Sequence, residues 1–228
     1  MEKLLKKRWW KIVTVVLLVY TILGGFLFDV PRLHILNEGI RNTHFHVPMW
    51  FAMITVMLVS VIYSIRYLLS NEMKHDFYAV EFANAGILFG ILGLVTGMIW
   101  ANYTWGAAWS GDAKQNNTAI ALLIYLAYLV LRNSLNDQGR RARISAIYNI
   151  FAFAALIPLL YILPRMTGSS LHPGSGGNST FGDIDLDNRL RMVFYPAILG
   201  WTLLGIWLAS LRVRLRLVEH RKEELDLQ

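Results

Sequence analysis

With no cysteine in the chain, its six histidines are the side chains best suited to hold a transition metal as neutral donors. His34, His44, His46 and His172 fall on one side of a series of apolar runs, and His75 and His220 on the other; none falls in the middle of a run. A second concentration of chemistry lies between two of those runs: Trp100-Ala-Asn-Tyr-Thr-Trp105-Gly-Ala-Ala-Trp109-Ser-Gly-Asp112-Ala-Lys114. Ordinary connectors favour Gly, Pro, Asn, Asp and Ser, whereas this one carries three indoles, a carboxylate and a lysine. Imidazoles from two segments, a set of aromatic faces and several cations make up the donor set for a heme. His46 and His172 would be the axial ligands of its iron. Trp105 and Trp109, four residues apart, would share a face if the connector is helical there. Arg41, Lys114, Arg165 and Arg189 are available to its propionates, and Asp112 to orient a loop N–H, a histidine or a lysine.

Each feature also has a plainer reading. A lone histidine at a helix end is more often an interfacial polar residue, and tryptophans beside a membrane boundary are commonly belt anchors. The Asp183, Asp185, Asp187 alternation lacks the glycine and closing glutamate of a calcium loop, and reads as solvated. Gly86, Gly90, Gly93 and Gly97 form one small-residue stripe, which is a packing device for a neighbouring helix.

The elements that must position these groups are membrane helices. The chain has 228 residues, 55% of them hydrophobic, and its mean hydropathy is +0.42. Charge-free runs cover 12–28, 47–65, 82–111, 115–131, 144–164 and 192–211. A spanning helix needs ~20 mostly apolar residues, and lipid demands that every backbone polar group be satisfied within its own segment. The expected fold is therefore all-α, a single six-helix membrane domain over 1–228. The expected spans are 10–28, 46–65, 82–100, 117–131, 144–163 and 190–211. A Trp-rich loop over 101–116 and a His-containing loop over 165–189 share one side. Pro48 is expected in the first turn of the second span, and Pro158 is expected to kink the fifth.

The 22 lysines and arginines divide sixteen to six between the two sides, the larger share lying with both termini. The positive-inside bias places the termini in the cytoplasm. The net charge of +7 is thus a topology signal, with anionic lipid contact second. It gives no reason to expect nucleic-acid binding, which would need a basic face on a soluble domain. A cofactor-free transporter or channel is a rival class, but it needs ionisable groups inside the spans, and the six runs contain none.

The connector resembles the tryptophan-rich "WWD" signature of the heme-handling proteins of cytochrome c maturation. His46-Val-Pro48-Met-Trp50 resembles the surroundings of the first ligand histidine in that family, and Leu171-His172-Pro173 those of the second. The order of these features and the six-span layout are similar to the heme exporter protein C (CcmC) type, over nearly the whole chain. The resemblance implies a multi-pass protein of the bacterial inner membrane that binds heme b at its periplasmic face. It implies His46 and His172 as iron ligands, with Trp100, Trp105, Trp109, Asp112, Lys114 and Arg41 around them. It also implies partners: a periplasmic heme chaperone, ATP-binding cassette (ABC) transporter subunits and a small membrane adaptor subunit. The role implied is heme transfer, not catalysis; the enzymatic alternative is a cytochrome c synthase of the same superfamily. Ala108 and Gly111 stand where the usual pattern has tryptophans, and Lys114 where it has arginine. A thinned platform should put more of the burden of holding heme on the two histidines.

Overall fold

The computed structural model describes residues 5, 7–32, 36–167, 170–172 and 187–226. His34, Asp183, Asp185 and most of the expected 165–189 loop lie outside them. The described residues form an all-helical bundle: α1 (Trp9–Leu27), a 3-10 helix (Asn37–Asn42), α2 (Thr43–Ser70), α3 (Met73–Trp105), α4 (Ala113–Asn133), α5 (Gln138–Ile157) and α6 (Asn188–Asp226). All of these except α4 are, with the segments that continue them, long and apolar enough to cross a membrane. α4 has 21 residues, and its first turn, Lys114-Gln115-Asn116-Asn117, dilutes its apolar content. Five to six helices can therefore span.

α2, α3, α4 and α6 run past both ends of their expected spans, and at Asp76, Glu81 and Arg132 one physical reason is visible. Each expected span is cut at its first charge, but charges that are paired inside the bundle do not end a helix. α3 begins nine residues before Phe82 and carries Asp76 and Glu81 buried within it. Arg132 is buried at the end of α4. α6 has 39 residues, ~58 Å at 1.5 Å per residue, against ~30 Å of hydrocarbon, so its end stands clear of the bilayer. The 101–116 connector is likewise shorter than expected. Residues 101–105 belong to α3 and 113–116 to α4, which leaves 106–112 as loop. α2 starts at Thr43, so Pro48 lies in its second turn. At Pro158 the backbone of α5 passes into a π-helical segment, Pro158–Ile162, followed by one α turn, Leu163–Met166.

α2 is the hub, packing on α3, α5 and α6, while α1 leans mainly on α6. The tightest contact is between α2 and α3. A Cβ added at Gly86 would lie 2.5 Å from Met57, one at Gly93 2.8 Å from the Trp50 ring, and one at Gly97 2.6 Å from His46; at Gly90 it would meet Met53 at 2.9 Å. The glycine stripe of α3 is thus a groove, and the ridge His46–Trp50–Met53–Met57 of α2 lies in it, in antiparallel order.

At the end of the bundle that holds the termini, buried charges tie the helices together. Arg132 donates to Asp76 through two parallel bonds of 2.8 and 2.6 Å, joining α4 to α3. Glu81 accepts from Arg212 and Arg216 of α6 and from Asn84. Asn149 of α5 donates to Ser60 and Ser64 of α2. Each buried charge is paired, as burial requires. The Arg214 guanidinium reaches the Leu5 carbonyl, so the N-terminal residues and the α6 extension share this end.

The groove makes a test. Gly97→Ala should lower the thermal midpoint in detergent, by an amount equivalent to ~1–3 kcal/mol of overpacking, because a rigid imidazole ring occupies the space. Gly90→Ala should cost clearly less, since the atoms it meets, Leu122 Cδ2 at 2.5 Å and Met53 Sδ, lie toward the ends of side chains that can swing aside. Equal losses in the two variants would refute a rigid seat for His46.

Candidate functional site

The opposite end of the bundle gathers His44, His46 and His172 with Trp50, Trp100, Trp105 and Trp109. His46 is in the first turn of α2, pressed into the α3 groove. Its Nδ1 lies 3.0 Å from the Gly93 carbonyl and 3.2 Å from Thr96 Oγ1. A carbonyl only accepts, so Nδ1 is the protonated nitrogen and donates. The Thr96 hydroxyl spends its own proton on the Leu92 carbonyl at 2.8 Å and is left as a second acceptor. The tautomer is thereby fixed, and Nε2 is left with the lone pair. Trp50 and Trp100 set their edges against the imidazole, at centroid distances of 5.9 and 5.7 Å. The Trp100 indole N–H is buried with no partner among the described residues.

His172 arrives from the other side. Asp112 is the N-cap of α4, with Oδ1 accepting the Lys114 N–H at 2.8 Å. The same oxygen takes His172 Nδ1 at 2.8 Å. Its second oxygen accepts from the Leu171 N–H at 2.8 Å and the Ser170 hydroxyl at 2.9 Å. One carboxylate therefore caps a helix, pins the 170–172 segment and sets the His172 tautomer. Burial alone would raise the Asp112 carboxyl, but the bonds from Leu171, Ser170 and Lys114 outweigh it and hold it below the usual carboxylate value. Burial holds His172 below the ordinary imidazole value, against the pull of Asp112, so its ring is neutral at neutral pH. Trp105 packs edge-on against it, with centroids 4.9 Å apart. His46 shares this end of the bundle with His172 and Lys114.

The two histidines share one construction. In each, Nδ1 is held by an acceptor, which orients the ring and raises the basicity of Nε2, as in metal-ligating imidazoles. Among the described residues no group of three or more His, Cys, Asp or Glu could hold a bare metal ion. Two neutral imidazoles are too few for a zinc site. They suit an iron that brings its own equatorial donors, with two axial positions to fill. Indole edges and the nearby cations Lys114 and Arg165, whose charges interact, suit a flat apolar body with carboxylate tails. The residues present fit a heme.

Other expected members are placed elsewhere. Arg41 donates to Glu38 at 2.6 Å and to the Gly25 and Phe28 carbonyls at 3.0 and 2.7 Å. It staples the 3-10 helix to the end of α1 and does not reach into the site. Arg189 pairs with Asp187. Trp105 and Trp109 do not share a helical face, because α3 stops at Trp105 with Gly106 left-handed at φ 80°. Trp109 lies in the loop, 42% exposed. Gly111 also has positive φ, 73°, so a tryptophan at that position would be strained on this backbone. His44, two residues from His46, points the opposite way on α2, toward Gly25 of α1, and is fully buried. Sequence reasoning missed Gly93, Thr96 and Ser170 as partners. The glycine stripe held the signal for the first two, since residues that admit a close neighbour also bare their carbonyls to it.

The chain is similar to known proteins. The family model described as heme exporter protein C (CcmC) matches residues 2–228. The cytochrome c biogenesis protein CcsA of Synechococcus sp. (strain CC9605) is 35% identical over 104 residues, 46% of this chain and 33% of that protein. CcsA of a strain of Prochlorococcus marinus is 41% identical over 87 residues, 38% of this chain and 26% of that protein. CcsA of Pelargonium hortorum is 30% identical over 118 residues, 51% of this chain and 36% of that protein. The chain thus spans between 26% and 36% of the length of these three relatives. Matched from residue 2 to its last residue, the chain belongs to the heme exporter protein C family, among the heme-handling proteins of cytochrome c biogenesis.

Proposed function

We propose that this protein holds heme b at the histidine end of the bundle and hands it on during c-type cytochrome biogenesis. The observation that carries the reading is the matched pair of imidazoles. His46 and His172 come from a helix and a loop, and each has its Nδ1 engaged by an acceptor. Bound heme supplies an iron with two axial positions, and the protein supplies ligands, cover and counter-charge. Trp50, Trp100 and Trp105 border the ligands and limit water. Lys114 and Arg165 offer cations to the propionates. Trp109, outside the immediate cluster, borders the open side.

The bias of lysine and arginine toward the termini puts the histidine end in the periplasm and both termini in the cytoplasm of a bacterial inner membrane. In this arrangement the recipient is a periplasmic heme chaperone. ABC transporter subunits and a small membrane adaptor subunit complete the system. The protein transfers heme and forms no covalent bond itself. A second reading has support in the CcsA matches: a synthase that attaches heme to apocytochrome directly. Coexpression with an apocytochrome and no other helper separates them, because only a synthase yields covalently attached heme there.

Purified protein should show a bis-imidazole heme spectrum. His46→Ala and His172→Ala should each disturb it, and the double variant should lose heme; retention of the same spectrum in the double variant would refute the ligand assignment. Asp112→Asn has one acceptor oxygen where four bonds now converge. It should weaken heme binding by about 10- to 100-fold, the usual cost of losing a ligand's supporting acceptor, with membrane insertion unchanged. Normal delivery of heme to the chaperone by both Trp105→Ala and Asp112→Ala would reduce the connector to an interfacial belt.

A further inference from the structure

The Nε2 atom of His46, which the ligand assignment needs, already has a partner. The Trp50 indole N–H points at it from one helical turn away, at 3.4 Å. The tautomer argument leaves Nε2 as a bare acceptor, so this contact runs from indole donor to imidazole lone pair. The indole is held there by the groove, where only a glycine at 93 leaves room for its ring. We infer that Trp50 is a self-capping residue: its N–H occupies the His46 lone pair when iron does not, and competes with iron for it.

This inference rests on His46 being an iron ligand. The exchange is balanced with no proton or electron moved. Nδ1 keeps its hydrogen and its bond to Gly93 throughout, and the Nε2 lone pair accepts either the indole N–H or the iron. At 3.4 Å the bond is long, and so weak enough to give way. It still lowers the cost of leaving Nε2 without iron in a half-buried site, because a lone pair stranded there would be unsatisfied. His172 differs, since its described contacts leave its Nε2 without a competing donor while an ionised carboxylate stands behind its Nδ1. Loop placement alone suggests that His172 lets go first. The geometry points the other way: His46 is fixed in position by α2, but its bond to iron is the one with a replacement waiting. Trp50 is thus a positioning residue for release.

Trp50→Phe keeps an aromatic ring against Gly93 and deletes only the donor. Two measurements on protein in detergent test the inference. In the heme-free protein, the Nε2 nitrogen resonance of labelled His46 should move toward that of a free imidazole acceptor in Trp50→Phe, with its Nδ1 resonance unchanged. In the hemin-loaded protein, dissociation of hemin into excess apomyoglobin should slow by about fivefold, the scale of one net hydrogen bond removed from the competing state. An unchanged Nε2 resonance overturns the inference. So does faster hemin loss, which would make the indole N–H part of the heme's own contacts. Failure of the ligand reading shows separately, as an unaltered hemin spectrum in His46→Ala; the Nε2 resonance then still decides whether the cap exists.

Discussion

The structure depends on one close approach, the seating of the α2 ridge in the glycine groove of α3. Along most of its length the contact is ordinary membrane packing: methionines against glycines, with dispersion as the main gain because lipid offers no hydrophobic drive between helices. At its outer end the same groove receives Trp50 and His46 in place of methionines. His46, the proposed ligand, is therefore positioned by a close helix–helix contact. No loop has to find it. Backbone exposed by missing side chains supplies the Gly93 carbonyl that sets its tautomer, so stability and site share a single cause.

The two ends of the bundle hold different kinds of polar group. At the end with the termini, Asp76, Glu81 and Arg132 are buried in complete pairings. Breaking such a pair by removing one partner strands a buried charge, whereas an intact pair adds little net stability. These groups lock helix register. At the histidine end the anchoring is uneven: each imidazole has its Nδ1 held by an acceptor, the His46 Nε2 meets only the long contact from Trp50, and the Trp100 indole N–H has no partner among the described residues.

Much of this was legible in the sequence. The apolar runs gave the helices and their order, and the histidine positions gave the functional end. The motif around His46, Asp112 and His172 gave the family. What stayed hidden were relations between segments. Helix ends were misplaced wherever a charge was paired across the bundle, since Asp76 in α3 and Arg132 in α4 each look like a boundary alone. The Trp105–Trp109 spacing suggested a shared face because four residues is a helical repeat, but Gly106 ends the helix between them. Arg41 looked available because its three partners lie on a 3-10 helix and the end of α1, which no local pattern joins to it. The glycine stripe was visible as a device, yet its partner ridge could be identified only once α2 was laid against it.

Asp112 and Gly93 make the two ligands unequal. A helix carbonyl already serves its own ladder and offers His46 a neutral acceptor. Asp112 offers His172 a full negative charge, kept ionised by three further donors, two of them on the 170–172 segment itself. Charge-assisted bonds are the stronger kind, and a more basic imidazole binds iron more firmly. On the proposed ligand assignment, the firmer bond to iron would fall on the 170–172 segment and the softer one on α2. Separating the firmness of position from the firmness of the bond would let such a site keep its cargo placed while loosening it, since the yielding ligand could release iron without leaving its place.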